Sequence, residues 1–469
     1  MARHPADVAR FSELERLLAV ANERLAGMEA QLKRMADSLA KLTSRNSSLP
    51  PSRDPPGTPR PTKPPTGRRR GGQLGHKGHK REMLPPDRVT DVVDHDPVEC
   101  GGCAGQLRGR PRLKRPERHQ RIDLPRIEPK VVEHRCHTKR CGRCGATTRA
   151  DLPTDVSPNT FGDGVAAFVA MMTGKYQLSK RNVQELLADV LHVDVSLGEV
   201  INLEHRVSAA LEKPYAEAHA AIRRADRACA DETGWREDKD RAWLWLATSP
   251  LLAVFRIDRT RGGPAARALL GENFAGILSS DRWSGYGWVE ASRRQLCWAH
   301  LVRNAQALVD RGGDGCRFGQ ALLNHLKPVM RWWHQLRDGK LERATLQRRM
   351  IKQRRAVAQV LSWGSRIEGD AGAMARDLLR LEKALWTFVA YEGVEPTNNL
   401  AERDLRTAVI WRKTSFGTDS PRGSRFVERM LTAVSSLRKQ GRCLLGFITA
   451  ALAAPGSRRR ATSLLPAQA

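Results

Sequence analysis

A chain of 469 residues is long for one ordinary domain and sets an expectation of roughly two to four. Its hydrophobic fraction of 40% suffices for buried cores, while 80 Lys+Arg against 51 Asp+Glu leave a formal charge of +29. That excess favours a polyanionic partner, nucleic acid before anionic membrane, because Lys and Arg release counterions from phosphates. No apolar run approaches the ~20 residues that span a bilayer, and Met1 to Val8 carries no apolar signal core, so the expectation is a cytoplasmic protein with no membrane partner. Nine cysteines are present, five of them between Cys100 and Cys144; in a reducing compartment such clustering points to metal rather than disulfides.

In chain order, residues 8–45 read as a helix. Phe11, Leu18, Leu25, Leu32 and Leu39 recur every seventh residue, and Leu14, Ala21, Met28, Met35 and Leu42 form the second seam. This is a leucine-zipper-like heptad, which predicts self-association into a homo-oligomer. Residues 46–86 are rich in Pro, Gly, Lys and Arg and lack the apolar side chains to offset ordering entropy. They predict a disordered basic linker whose Arg68, Arg69, Arg70, Lys77, Lys80 and Arg81 reach DNA phosphates. Residues 87–155 carry Cys100-Gly-Gly-Cys103 and Cys141-Gly-Arg-Cys144, two CxxC turns suited to a zinc-ribbon-like unit with four-thiolate structural Zn²⁺. Strand-like text around "KVVEHRCHT" fills the gap between them. Residues 156–222 read as a helical, helix-turn-helix-like DNA-binding module, with Ser196 and Glu199 forming a capping box.

From Ala225 the period changes, predicting three strands, a helix and a further strand, with Asp231 and Asp281 at or near strand ends. Carboxylates at the strand ends of an α/β sheet make a natural metal site. Residues 223–304 are thus a first catalytic part, 305–394 a wholly helical insertion, 395–452 a second catalytic part and 453–469 a disordered tail. The fold class expected is multidomain α/β. In "EPTNNLAERDLR", Glu402 lies on a helix begun near Asn398 or Asn399. Moving a phosphoryl group between oxygens calls for an activated nucleophile and a stabilised leaving oxygen, which two hard divalent cations ~3.5–4 Å apart supply. Mg²⁺ (or Mn²⁺) takes oxygen ligands, so Asp231, Asp281 and Glu402 suit it. Asp238 and Asp258 rank lower, and Glu232 and Asp404, as immediate neighbours, point elsewhere. Arg403, Arg406, Arg412 and Lys413 are expected on phosphate. His300 is read equally as a DNA or site contact and as a helix-capping or core residue. Trp332, Trp363 and Trp386 read as core.

Among 51 acidic residues, spacing alone selects no triad. The surrounding words do. "ADETGWR", "SDRWSGY", "CWAHLVRNAQAL" and "NNLAERDLR…RKTSFGT" closely resemble transposases of the insertion sequence 66 family, and "NSSLPPS", "GGQLGHKGHKR", the CxxC pairs and "PNTFGDGVAAFVAMMTGKYQLS" extend the resemblance over residues 11–450. The resemblance implies a ribonuclease H-like catalytic domain with a DDE triad at Asp231, Asp281 and Glu402. It implies metal-dependent cleavage of transposon ends and strand transfer into target DNA, with terminal inverted repeats as specific substrate. It further implies a bacterial, nucleoid-associated setting and accessory proteins encoded beside the gene. The competing expectation is a non-catalytic DNA-binding protein derived from a transposase. The tail "AAPGSRRRATSLLPAQA" departs from the family by lacking an aromatic-ended extension.

Overall fold

The computed structural model describes residues 75–78, 81–109, 111–153, 156, 158–454 and 462–466, with residues 14, 16–29, 31–32 and 43 of the N-terminal region. The chain divides into two compact units, Pro59–Lys130, and Met1–Thr58 with Val131–Ala469. Residues 16–29 are helical, and Leu18, Leu25, Leu32, Leu14 and Met28 of the two heptad seams are exposed. Phe11, Met35, Leu39 and Leu42 lie outside the described residues.

The smaller unit is mostly irregular chain. Its first CxxC is a tight turn in which Cys100 N–H donates to Gly105 O (2.9 Å) and Ala104 N–H to Cys100 O (2.8 Å). Ala104 takes a left-handed backbone, φ 56°.

In the larger unit the second CxxC repeats this geometry. Cys141 N–H donates to Ala146 O (2.8 Å), Gly145 N–H to Cys141 O (2.9 Å), and Gly145 is left-handed at φ 74°. It caps the antiparallel pair β1 (Thr138–Arg140) and β2 (Thr147–Arg149). The strand expected around "KVVEHRCHT" therefore starts only at Thr138. Val131 and Val132 are exposed irregular chain, since β propensity acts where a partner strand supplies the ladder.

Four helices follow: α1 (Asp163–Gly174), α2 (Lys180–Leu191), α3 (Leu197–Ala210) and α4 (Glu212–Arg223). Ser179 and Ser196 cap α2 and α3 by accepting from Asn182 N–H and Glu199 N–H. The Ser196 box is half-formed, for the Glu199 carboxylate takes Asn202 Nδ2 instead (3.0 Å). Helix α3 buries Val200, Leu203 and Val207, and its fully exposed positions are Gly198, Asn202 and Ala209.

A five-stranded mixed sheet of order β5-β4-β3-β6-β7 follows. Strands β3 (Arg227–Glu237), β4 (Asp240–Thr248) and β5 (Ala253–Asp258) form an antiparallel meander. After α5 (Gly263–Leu270), β6 (Ile277–Ser280) returns parallel to β3, and β7 (Arg294–Leu296) pairs parallel with β6. Gly276 makes this return feasible, because a Cβ there would collide with Ala225 O. Helices α6 (Trp298–Arg311), α7 (Asp314–Arg337), α8 (Arg343–Gly364), α9 (Gly369–Arg380), α10 (Glu382–Leu385) and α11 (Thr387–Ala390) build a second core around Phe318, Leu322, Val329, Leu346, Val357 and Leu361. Trp298 packs edge-on against Trp386 (5.0 Å) and Phe388 (6.0 Å), joining this core to the sheet. Of the three tryptophans expected inside, Trp386 is buried, Trp332 is half-buried beneath Arg349, and Trp363 is 44% exposed.

The chain ends with α12 (Asn399–Ser415), α13 (Pro421–Lys439) and α14 (Leu444–Ala453). Helix α13 covers the edge strand β5. Alternate amides of the strand, Ala253, Phe255 and Ile257, donate to side chains spaced four apart on the helix, Ser436 (3.1 Å), Thr432 (3.0 Å) and Glu428 (2.6 Å). Edge amides that would otherwise template foreign strands are thereby satisfied. The tail expected to be disordered is partly docked: Leu464 is buried and its carbonyl accepts from Gln440 Nε2 (2.8 Å).

Burial pushes the Glu428 carboxyl up to about 7 from 4.5, against the opposing pull of the Ile257 amide. A raised acid destabilises the native state increasingly as pH rises from 4.5 through about 7, and costs nothing below 4.5. Glu428→Gln keeps an acceptor for Ile257 and removes the charge. Urea denaturation should show the variant more stable than the parent at pH 8, with the two converging near pH 4.5; greater parental stability at pH 8 would contradict this.

Candidate active site

Asp231 is the fifth of eleven residues in β3, so it sits within the strand rather than at its end. The expectation erred because β3 runs on past its parallel neighbour. Parallel pairing covers only Arg227↔Ile277, Ala228↔Leu278 and Cys229↔Ser279. That register is an offset of 50 residues, and the same 50 separate Asp231 from Asp281. Continued two residues past its last pair, the same offset would align the two aspartates, although the ladder itself ends at Cys229↔Ser279. Asp281 directly follows β6 and starts a turn, its carboxylate accepting from Trp283 N–H (2.9 Å). Beneath it lies the buried guanidinium of Arg294 on β7, which donates to Ser280 Oγ and Asp281 O (both 3.2 Å).

Glu402 arrives on the first turn of α12. At the N-terminal end Asn398, wholly buried, donates from Nδ2 to Ala230 O, the residue before Asp231 (2.9 Å), and from its amide to Cys297 Sγ (3.2 Å). At the C-terminal end Arg412 Nη1 donates to Thr233 Oγ1 (3.0 Å) and Gly234 O (2.6 Å). Beyond the helix Thr418 pairs with the end of β3, receiving Asp238 N–H (2.7 Å) and donating to Arg236 O (3.0 Å). Gly417 is left-handed, and a Cβ there would strike Arg236 O. The helix is thus fixed along β3 at both ends.

The result is a shared electrostatic field. Burial first, then the negative charges of Glu232 and Asp281, push the Asp231 carboxyl well above its usual 3.8; the Glu232 amide opposes this, and Glu402 adds to it. Glu232 is raised too, by burial and then Asp281, yet its carboxylate is engaged by Tyr286 Oη (2.8 Å) and Arg261 Nε (3.0 Å). Asp404 is tied to Thr248 Oγ1 and Lys439 Nζ, both at 2.8 Å. Asp238 and Asp258 stand at the far ends of β3 and β5.

On the open side, His300 Nδ1 and Arg303 Nη2 each approach Glu402 Oε1 at 3.6 Å. Burial, then Arg303, lowers the His300 pKa against the pull of Glu402 and Asp281, which keeps the imidazole neutral. Cys297 Sγ, a His300 ring nitrogen and a Glu402 carboxylate oxygen lie within 4.8 Å of one another, the one such group of three metal-ligating side chains found among the described residues. Burial pushes the Cys297 thiol up to about 11.

Of the other expected contacts, Arg403, Arg406 and Lys413 are exposed along α12, whereas Arg412 is committed to β3. Lys77 and Arg81 are exposed; Arg68, Arg69, Arg70 and Lys80 lie outside the described residues. In the CxxC turns the amides of Gly102 and Cys103 hold the Cys100 thiol below its usual value, and those of Cys144 and Arg143 do the same for Cys141. Sequence reading missed Asn398, Cys297, Arg303 and Arg294. Only Asn398 carried a signal, as a polar residue at a helix start.

These features define a mixed α/β protein with electrostatically coupled acidic side chains around a central sheet and a basic helix face beside them. The family model for the Transposase IS66 family matches residues 159–425, and the chain belongs to that family. Membership implies an enzyme of DNA transposition that binds DNA, cuts it and transfers strands. Residues 6–82 match a family of unknown function. No curated protein matches the chain. No helix of the described residues is long and apolar enough to cross a membrane.

Two outcomes follow from this geometry. Asn398→Ala leaves Ala230 O without its buried donor and should lower unfolding free energy by about 1–3 kcal/mol, read by denaturant titration; a neutral result would mean that α12 is held elsewhere. Asp231→Asn relieves the raised carboxyl. In metal-free protein it should raise the thermal midpoint at pH 8, with the gain shrinking as pH falls toward 3.8.

Proposed function

We propose that the chain is a DDE-type DNA transposase in which Asp231, Asp281 and Glu402 hold two Mg²⁺ (or Mn²⁺) ions on a ribonuclease H-like domain. The observation that supports this reading is electrostatic: Asp281 and Glu402, from separate elements, both raise the Asp231 carboxyl, behind burial and Glu232. Glu402 Oε1 is buried without a hydrogen bond, with the Arg303 guanidinium standing off at 3.6 Å, and the oxygen donors of the set suit a hard cation. Bound divalent ions would supply Lewis-acid stabilisation of the phosphoryl oxygens and an activated nucleophile.

The residues of the chain set the stage for this. Asp231 and Asp281 are fixed by strand register and Glu402 by the clamp on α12. Neutral His300 and cationic Arg303 border the opening through which a phosphodiester approaches. Arg403, Arg406 and Lys413 extend that border with exposed charge for the DNA backbone. The mixed sheet with helices packed on it supports the ribonuclease H-like reading, and α6 to α11, with their own core, support a helical insertion between the second aspartate and Glu402. Transposon terminal inverted repeats and target DNA are the proposed substrates.

Each CxxC turn, with amides aimed at its first thiol, offers a thiol pair suited to structural Zn²⁺, Cys100 with Cys103 in one unit and Cys141 with Cys144 in the other. The exposed leucines of the N-terminal helix support coiled-coil self-association. The basic linker and residues 156–222 add DNA contacts, although α3 offers a groove few side chains beyond Asn202. Accessory proteins of the same element belong to this reading as partners.

Asp281→Ala should abolish Mg²⁺-dependent cleavage and joining of terminal-repeat DNA while mobility-shift affinity stays within about threefold, a change under ~1 kcal/mol. Joined product from the variant at the parental rate would refute the assignment.

A further inference from the structure

We infer that Cys297, His300 and Glu402 form a second metal site, selective for a borderline-soft divalent cation of the zinc class, which switches the enzyme off by claiming Glu402. The switching half rests on the function proposed above; the binding half does not.

The three donors are a sulfur, a nitrogen and an oxygen within 4.8 Å of one another. His300 Nδ1 and Glu402 Oε1 stand 3.6 Å apart, close to the ~3.4 Å edge that bonds of ~2.0–2.1 Å make in a zinc tetrahedron. Both atoms are buried without a hydrogen-bond partner. Two buried polar atoms at that separation, neither hydrogen-bonded and with the Arg303 guanidinium nearby at 3.6 Å from Glu402 Oε1, suit a shared cation. The Cys-x-x-His spacing puts sulfur and imidazole on one side of the first turn of α6, with Cys297 as its N-cap. Glu402 occupies the first turn of α12, so two helix N-termini converge on the thiolate and the carboxylate and stabilise both negative charges. The Asn398 amide donates to Cys297 Sγ at 3.2 Å, a contact that a metal-bound thiolate accepts as well as a thiol. His300 and Glu402 are 24% and 31% exposed, which leaves a path from solvent.

Ligand chemistry sets the selectivity. Mg²⁺ demands oxygen donors, whereas a thiolate, imidazole and carboxylate set takes zinc-class ions. Three protein ligands leave the fourth tetrahedral position for water. On binding, the Cys297 S–H proton passes to solvent and an S–metal bond forms, with no change of oxidation state. A Glu402 oxygen held there is withdrawn from Asp231 and Asp281.

Co²⁺ is the probe, titrated into the full chain and followed by bound equivalents and thiolate charge-transfer absorption. The parent should bind one equivalent more than Cys297→Ser and than His300→Gln. The Asp231→Asn/Asp281→Asn double variant should retain that equivalent, and millimolar Mg²⁺ should leave it bound. If Cys297→Ser does not fold, as judged by circular dichroism, His300→Gln gives the same count. Equal equivalents in the parent and in folded variants would overturn the site. In the cleavage assay, the Zn²⁺ concentration for half-inhibition should rise about tenfold in Cys297→Ser, the equivalent of ~1.4 kcal/mol. An unchanged value would overturn the switch and leave the cobalt count standing. A chain that cleaves nothing in Mg²⁺ without zinc would instead refute the proposed function, while the cobalt count would still decide the site.

Discussion

The seating of α12 along β3 is the constraint on which the rest depends. Glu402 is separated from Asp281 by a helical segment with a core of its own, and chain connectivity alone does nothing to bring it back. The return is made by hydrogen bonds: the side chains of Asn398 to the carbonyl just before Asp231 and of Arg412 to Gly234 O, and backbone pairing of Thr418 with the end of β3. All three use main-chain atoms of the strand that carries the first aspartate. The hydrogen bonds that seat the helix on the strand also set where Glu402 stands relative to Asp231.

That arrangement sets stability against function. Burial, and after it the crowding of Glu232 and Asp281, raises the Asp231 pKa, a cost borne by the native state and relieved by a bound cation or by protonation. The compensation lies around the cluster. Arg294 is buried beneath Asp281, Tyr286 and Arg261 occupy Glu232, and Lys439 with Thr248 neutralises Asp404. Each of these neighbouring acids has a side-chain partner close by, whereas, among the described residues, Asp231 and Asp281 accept only from backbone amides and Glu402 has His300 and Arg303 at 3.6 Å. Functional sites commonly carry strain of this kind, held by a scaffold that over-determines them.

Much of this was legible in the chain itself. The apolar text "RAWLWLATS" and "LLAVFRID" gives β4 and β5, although β4 is buried on both faces from Leu244 to Thr248 rather than on alternate residues. The helical segment after "CWAH" shows its 3.6-residue stripe, and family words single out the three carboxylates. Register was not legible: that Asp231 lies mid-strand, beyond the last pair with β6, depends on which residues pair, and pairing is tertiary. Nor were Cys297 and Arg294, whose significance comes from what packs over them. "KVVEHRCHT" shows the opposite failure, where β-branched residues suggest a strand that lacks a ladder. Leu464, in a tail of polar and small residues, finds a core place that no local pattern announces.

Family membership fixes the broad chemistry as transposition, and the geometry narrows the question to whether three carboxylates on β3, after β6 and on α12 share metal. Diffraction from crystals soaked in Mn²⁺ tests this most directly. An anomalous peak within coordinating distance of Asp231, Asp281 and Glu402 together is the result predicted. Manganese bound by the aspartates with Glu402 turned away, or no manganese at the cluster at all, would contradict the account.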